Sequence, residues 1–232
     1  DNNFSAIVRS ILFGRTIFKS IRKFIIFQLT VNFCAVGLSI LGPFIGVVNP
    51  VTVIQMLWIN MVMDTFAGIA FSYEPPLSEY MEEPPKKKHE PILNRYMIHE
   101  IVFVSLYSLL LCFFFLKSSF IHSFFRFGKE DQYFLTAFFG LFIFLSIFNS
   151  FNARTSRLNV FANLFKNRAF LLIILFIATI QMLLIYYGGT LFRTAGLSLK
   201  EVEIMLLCAF TVIPVNFIRK LYLKKKGKLG CV

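Results

Sequence analysis

Acidic side chains are nearly missing from the apolar stretches of this 232-residue chain. It has 12 Asp and Glu against 24 Lys and Arg, a net charge of +12. Eleven of the twelve acids lie in polar connections or at the ends of apolar runs, and Asp64 alone lies well inside one. Charged residues of both signs make up only 16%. A hydrophobic share of 57% with mean hydropathy +0.71 excludes an ordinary soluble domain, which is nearer 45–50% apolar. Cysteine is sparse, four residues whose spacing suits neither a disulfide framework nor a zinc knuckle. They read as small apolar filler. There is no glycine-rich phosphate loop, no Ser-His-Asp arrangement and no zinc-binding spacing, so no motif for ATP is visible. The three His form no ligand pair.

What is there is a series of long apolar runs. A spanning helix needs about 20 mostly apolar residues. Six stretches qualify, at roughly 24–48, 51–72, 96–117, 133–151, 169–189 and 201–218. Backbone in lipid must satisfy its own hydrogen bonds, so these runs predict helices; a barrel would show short alternating runs. The expected fold is an all-α, polytopic bundle of six transmembrane helices, residues 24–219, between a stalk (1–23) and a basic tail (220–232). Lys and Arg gather before the first run, in the second and fourth connections and in the tail. Positive-inside bias therefore predicts both ends in the cytoplasm, and an even span count agrees. The positive charge is what topology demands and calls for no nucleic acid. The bilayer is the expected partner. The chain opens Asp-Asn-Asn with no signal-peptide pattern, and so reads as a piece of something longer.

Residues Arg15, Lys19, Arg22 and Lys23 share one helical face, and Phe18, Ile21 and Ile25 another, with no proline before the first run. A stalk continuous with the first span is expected. Gly42 and Pro43 should bend or end that helix. The 73–94 connection, with Glu74-Pro75-Pro76, Pro84-Pro85 and Lys86-Lys87-Lys88, reads as an extended, solvated strap that could dock a cytoplasmic domain.

A carboxylate within an apolar span costs about 2.5–3.5 kcal/mol by insertion scales, and so marks a functional site by default. Asn60 lies four residues before Asp64 on the same helical face, with Gly68 continuing it as a position of close helix approach. Asn32 lies midway along the first span, and pairing of the two spans as a hairpin brings it to similar depth. Two amides and a carboxylate are hard oxygen ligands suited to Ca²⁺, Mg²⁺ or Mn²⁺. Ca²⁺ wants six to eight oxygens, so these three leave a site incomplete. An interhelical hydrogen-bond cluster or a proton relay through Asp64 stands beside the ion reading.

The run Gln55-Met56-Leu57-Trp58-Ile59-Asn60-Met61-Val62-Met63-Asp64-Thr65 resembles the sixth transmembrane helix of P-type calcium-transporting ATPases, nearest the plasma-membrane type. Phe27 to Asn32 is similar to that family's fifth helix, Glu74-Pro75-Pro76 with Pro84-Pro85 to its next cytoplasmic loop, and Phe151-Asn152-Ala153-Arg154 to the end of its eighth helix. The resemblance implies helices five to ten of ten, with Asp64, Asn60 and Asn32 as cation ligands. It implies Ca²⁺ as the transported ion, and ATP and Mg²⁺ used only by upstream parts: phosphorylation, nucleotide-binding and actuator domains and four further helices. Ala35, Met63 and Ser146 stand where two-ion relatives carry ligands, which implies a reduced, single-cation site. The short tail implies a bacterial-type plasma membrane. The chain by itself should be inactive. A pump for Mn²⁺ or Na⁺, or a self-contained six-span carrier or channel using Asp64, are the alternatives.

Overall fold

A computed structural model describes residues 4–46, 50–85, 90–128 and 131–226, without the side chains of Ile45, Met63 and Asp64. Lys86, Lys87, Lys88 and His89 of the expected strap lie outside the described residues, as do Asp1–Asn3 and Cys231. Every regular element among the described residues is helical.

The first helix, α1 (Phe4–Leu41), is a single piece of 38 residues. No proline interrupts it, and it ends where expected, at Gly42, followed by a short 3₁₀ turn Pro43–Ile45. The run expected as the second span is helical but broken. It consists of α2 (Val53–Met61), a π-helical turn (Val62–Phe66) and α3 (Ala67–Ser72). Next come α4 (Arg95–Lys117), the short α5 (Ser119–His122), α6 (Gln132–Arg154), α7 (Arg168–Tyr187), the short α8 (Gly189–Phe192), α9 (Leu199–Phe210) and α10 (Val212–Lys225). Five helical stretches among the described residues are long and apolar enough to cross a membrane: α1, α4, α6, α7 and the nearly continuous α9–α10.

Helix starts follow from local chemistry. Thr52 and Gln55 form a capping box on α2, and Ser198 and Glu201 one on α9. Asn94 and Asn167 cap α4 and α7 through their side-chain oxygens. The break between α9 and α10 at Thr211 has a cause three residues on. Pro214 has no N–H for the carbonyl of Phe210, and its ring crowds that carbonyl. The Thr211 hydroxyl donates to the Cys208 carbonyl at 2.6 Å and accepts from Tyr107 of α4 at 2.7 Å, which holds the bend in place.

The core is centred on α6, buried along most of its length and packed against α1, α4, α7, α9 and α10. Gly140 lets α9 and α7 come close: a Cβ there would clash with the Met205 sulfur and lie 3.1 Å from Ile185. Gly68, expected to serve such an approach, meets only the Phe24 ring at 3.6 Å, ordinary contact distance, so a methyl group would be tolerated there. Some of the abundant Phe residues pack into this core, while others, such as Phe33, Phe114 and Phe176, are exposed. Phe71 contacts Phe24, Phe27 and Phe170, and Phe115 contacts Phe125, Phe134 and Phe138.

Candidate functional site: the broken helix and its basic ladder

Asp64 falls within the π turn. A π turn replaces i→i+4 hydrogen bonds with i→i+5 bonds, and such single turns are frequent at functional sites. The acid that is anomalous by sequence thus coincides with the point where backbone geometry departs from α. Asn60 precedes the turn on α2 and is exposed; Asn32 is half-buried on α1. Phe71 lies against both Phe24 and Phe27, so α1 and α3 pack as an antiparallel pair. Continuing that register outward along α1 brings Asn32 to the depth of the π turn. The Asp64 carboxylate lies outside the described side chains. Ala35 and Ser146 are buried, and the Ser146 hydroxyl is spent on the Phe142 carbonyl at 2.9 Å. Among the described residues no three His, Cys, Asp or Glu side chains cluster as a metal site.

The basic face of α1 is arranged differently from the amphipathic stalk expected. Lys19, Arg22 and Lys23 are buried, while Ile7, Ile11, Ile17 and Ile21 are exposed. The cover is the strap after α3. It is not the solvated segment expected: it contains a 3₁₀ turn, Ser78–Met81, and Glu74 and Tyr80 are buried. The two sides pair rung by rung. The Arg15 guanidinium donates to the carbonyls of Tyr80 and Glu83, each at 2.6 Å. Lys19 meets Glu83 at 2.5 Å, Arg22 meets Glu90 at 3.0 Å and Lys23 meets Glu74 at 3.2 Å. Residues 15, 19, 22 and 23 recur at helical spacing, so a single face of α1 can grip one strap.

The foot of α6 joins the ladder. Arg154, 1% exposed, reaches Glu74 at 3.7 Å and donates to the carbonyl of Ala162, while Arg157 pairs with Glu79. Glu74 therefore serves two buried cations from two helices. A cavity of about 500 Å³ lies between the strap, α1 and the 155–163 segment. Burial, with Glu74 and Glu79 nearby, pushes the Tyr80 phenol up from its ordinary value, so it stays protonated at neutral pH.

A second buried polar knot joins α4 to α10. Glu100 pairs with Arg219 at 3.0 Å, both nearly inaccessible. Asn216 links them, donating to Glu100 at 3.2 Å and accepting from Arg219 at 2.8 Å. By position Glu100 reads as an acid at the end of an apolar run, and the pairing was missed; the available signal was an acid in α4 and an Arg late in α10 at matching ends. Asn152 also ties two helices, donating to the Val212 carbonyl at 3.1 Å. Next to Arg219, Lys220 donates to the carbonyls of Asn152 at 3.0 Å and Thr155 at 2.6 Å, closing the C-terminal end of α6.

Five helical stretches able to cross a membrane, with a further apolar helix broken at an acid, form an arrangement that ion-translocating proteins use. The particular family follows from comparison with known sequences. The family model described as "Cation transporting ATPase, C-terminus" matches residues 48–222, and the chain belongs to that family. It is 33% identical to "Calcium-transporting ATPase PAT1" of Dictyostelium discoideum, over 87% of this chain and 21% of that protein. It is also 33% identical to "Plasma membrane calcium-transporting ATPase mca-1" of Caenorhabditis elegans, over 92% of this chain and 18% of that protein. "Plasma membrane calcium-transporting ATPase 1" of Homo sapiens gives 33% over 87% and 17%. The chain thus spans about a fifth of the length of these curated relatives. The likeness to the C-terminal region of P-type calcium pumps, drawn from the Gln55–Thr65 run, is borne out.

Proposed function

We propose that this chain is the membrane part of a P-type ATPase that moves Ca²⁺ across a membrane, and that Asp64, Asn60 and Asn32 contribute ligands for the ion. The coincidence of the only deep acid with the π turn carries this reading. A turn that departs from α bonding is a place where carbonyl oxygens can be aimed at an ion, and Ca²⁺ requires more oxygens than three side chains supply. Upstream parts of the protein would complete the shell, use ATP and Mg²⁺, and cover the α1 and α2 faces on which Phe33, Val36, Leu57 and Met61 are exposed.

On this reading Val53–Ser72 crosses the membrane despite its π turn, giving six spans with both ends cytoplasmic. Residues 1–23 are the stalk and 220–232 a basic tail, in a bacterial-type plasma membrane. The chain alone is expected not to hydrolyse ATP. The test is cation-dependent phosphoenzyme formation from ATP by the full-length protein across Ca²⁺, Mn²⁺ and Na⁺. Ca²⁺ at the lowest concentration is the expected trigger; formation with Mn²⁺ or Na⁺ alone would reassign the ion.

The ladder between α1 and the strap would carry the state of the cytoplasmic domains to the site. Glu74→Gln leaves Lys23 and Arg154 sharing a neutral partner. Turnover of the phosphoenzyme is expected to fall about tenfold, about 1.4 kcal/mol of barrier, with the half-maximal Ca²⁺ concentration unchanged. A changed Ca²⁺ concentration with normal turnover would place Glu74 in ion binding instead.

A further inference from the structure

Two polar groups in the membrane-embedded part are buried without a partner among the described residues. Gln181 of α7 is 1% exposed, and neither its amide oxygen nor its amide nitrogen is hydrogen-bonded. The indole N–H of Trp58 on α2 is also buried and unbonded. A buried amide without a partner costs about 1–3 kcal/mol by mutational data, so such a group is retained at a cost. Other buried amides in this bundle make at least one bond each: Gln55 donates to the Phe192 carbonyl at 2.6 Å, Asn216 bridges Glu100 and Arg219, and Asn152 and Asn167 each engage one end of the amide and leave the other unbonded.

The packing register brings the two groups to similar depth. The buried face of α7 carries Phe170, Ile174, Ile177, Gln181 and Ile185. Phe170 lies against Phe71 of α3, and Phe176 against Phe66 in the π turn. That antiparallel register puts Gln181 level with Asn60 and Met61, just outside the turn and about one turn of helix from Trp58. Trp58 packs edge-on against Phe192, which stacks on Phe139 of α6, so the indole lies in the wedge that α8 closes between α2 and α6. A donor without an acceptor and an acceptor without a donor thus lie at nearly one depth, on α2 and on α7, and α7 packs against the π turn that ends α2. Asp64 follows within the turn whose hydrogen bonding can change.

We propose that Trp58 and Gln181 are a positioning pair: the α2 segment Val53–Met61 turns about the π turn, and the Trp58 N–H then donates to the Gln181 carbonyl oxygen in the ion-bound state. The pair sets how Asn60 and Asp64 are presented; neither residue touches the ion. This rests on the reading of Asp64 as an ion ligand.

The test is a double-mutant cycle in the full-length protein, read as the Ca²⁺ dependence of phosphoenzyme formation from ATP. Trp58→Phe keeps the ring and loses the donor; Gln181→Met keeps length and loses the acceptor. A net hydrogen bond of about 0.5–1.5 kcal/mol predicts that each weakens apparent Ca²⁺ affinity about 2- to 12-fold. The double variant should be no weaker than either single one. Gln181→His, which keeps an acceptor nitrogen, should retain most of the affinity. Additive effects, or unchanged Ca²⁺ dependence in Gln181→Met with raised thermal stability, would overturn the pair. If the wild-type protein forms no Ca²⁺-dependent phosphoenzyme, the ion assignment itself fails and the pair falls with it.

Discussion

Asp64→Asn in the full-length protein is expected to reduce ATP-driven Ca²⁺ uptake into inside-out vesicles at least about a hundredfold, equal to about 2.7 kcal/mol. The substitution is nearly isosteric and would relieve the cost of an acid in lipid, so the fold should be kept or strengthened. That combination separates the hypotheses. A purely structural carboxylate predicts altered stability with uptake preserved. An ion ligand predicts a stable protein that no longer responds to Ca²⁺. Phosphorylation by inorganic phosphate in the absence of Ca²⁺ gives the control, since it needs a folded protein but no bound ion. Near-normal uptake by the variant would remove Asp64 from the site and leave the π turn without a functional account.

Arg219→Ala is expected to be the most damaging single change to stability. It leaves the Glu100 carboxylate, 2% exposed, without its cation. Breaking a buried pair in this way costs about 3–5 kcal/mol. In a domain of this size about 10 °C of thermal midpoint would be lost, measurable in detergent by the temperature dependence of monodisperse protein. Replacing both partners should recover most of it: Glu100→Gln with Arg219→Met removes both charges, and similar volumes keep the packing. Failure of the double variant to recover would mean that Asn216 and the α4–α10 packing, more than the charge pair, hold this end together.

Much of the fold was legible because membrane helices must close their own hydrogen bonds, so apolar length translates directly into helix. The end of α1 at Gly42 could be read from backbone chemistry alone. The π turn could not. It falls in a run where Asp64 is the only charge, and no residue there forbids α geometry as Pro214 does further on. The ladder was half legible. The spacing of Arg15, Lys19, Arg22 and Lys23 showed one basic face, but the sequence does not say that Glu74, Glu83 and Glu90 lie over it. A charged face reads as solvated until its partner is known, and the partner is separated from it by a whole span. Glu100 was discounted for the same reason: position at the end of an apolar run does not reveal the cation more than a hundred residues away. Of the ion-ligand candidates, Asp64 and Asn60 stood out through intrinsic cost and spacing, and Asn32 only through hairpin pairing.

The bonds made by Arg219 and Lys220 have a consequence for the order of synthesis. These adjacent residues on the last helix complete two earlier ones, supplying the counter-charge for α4 and the terminal donor for α6. A nascent chain released into the bilayer up to Phe210 would hold an uncompensated acid and two open carbonyls, and so would lack a stable arrangement of its own. α4 and α6 would then stay unfinished until the ribosome delivers α10. Messages truncated before residue 219 should give products captured by membrane quality control, however well their apolar spans insert.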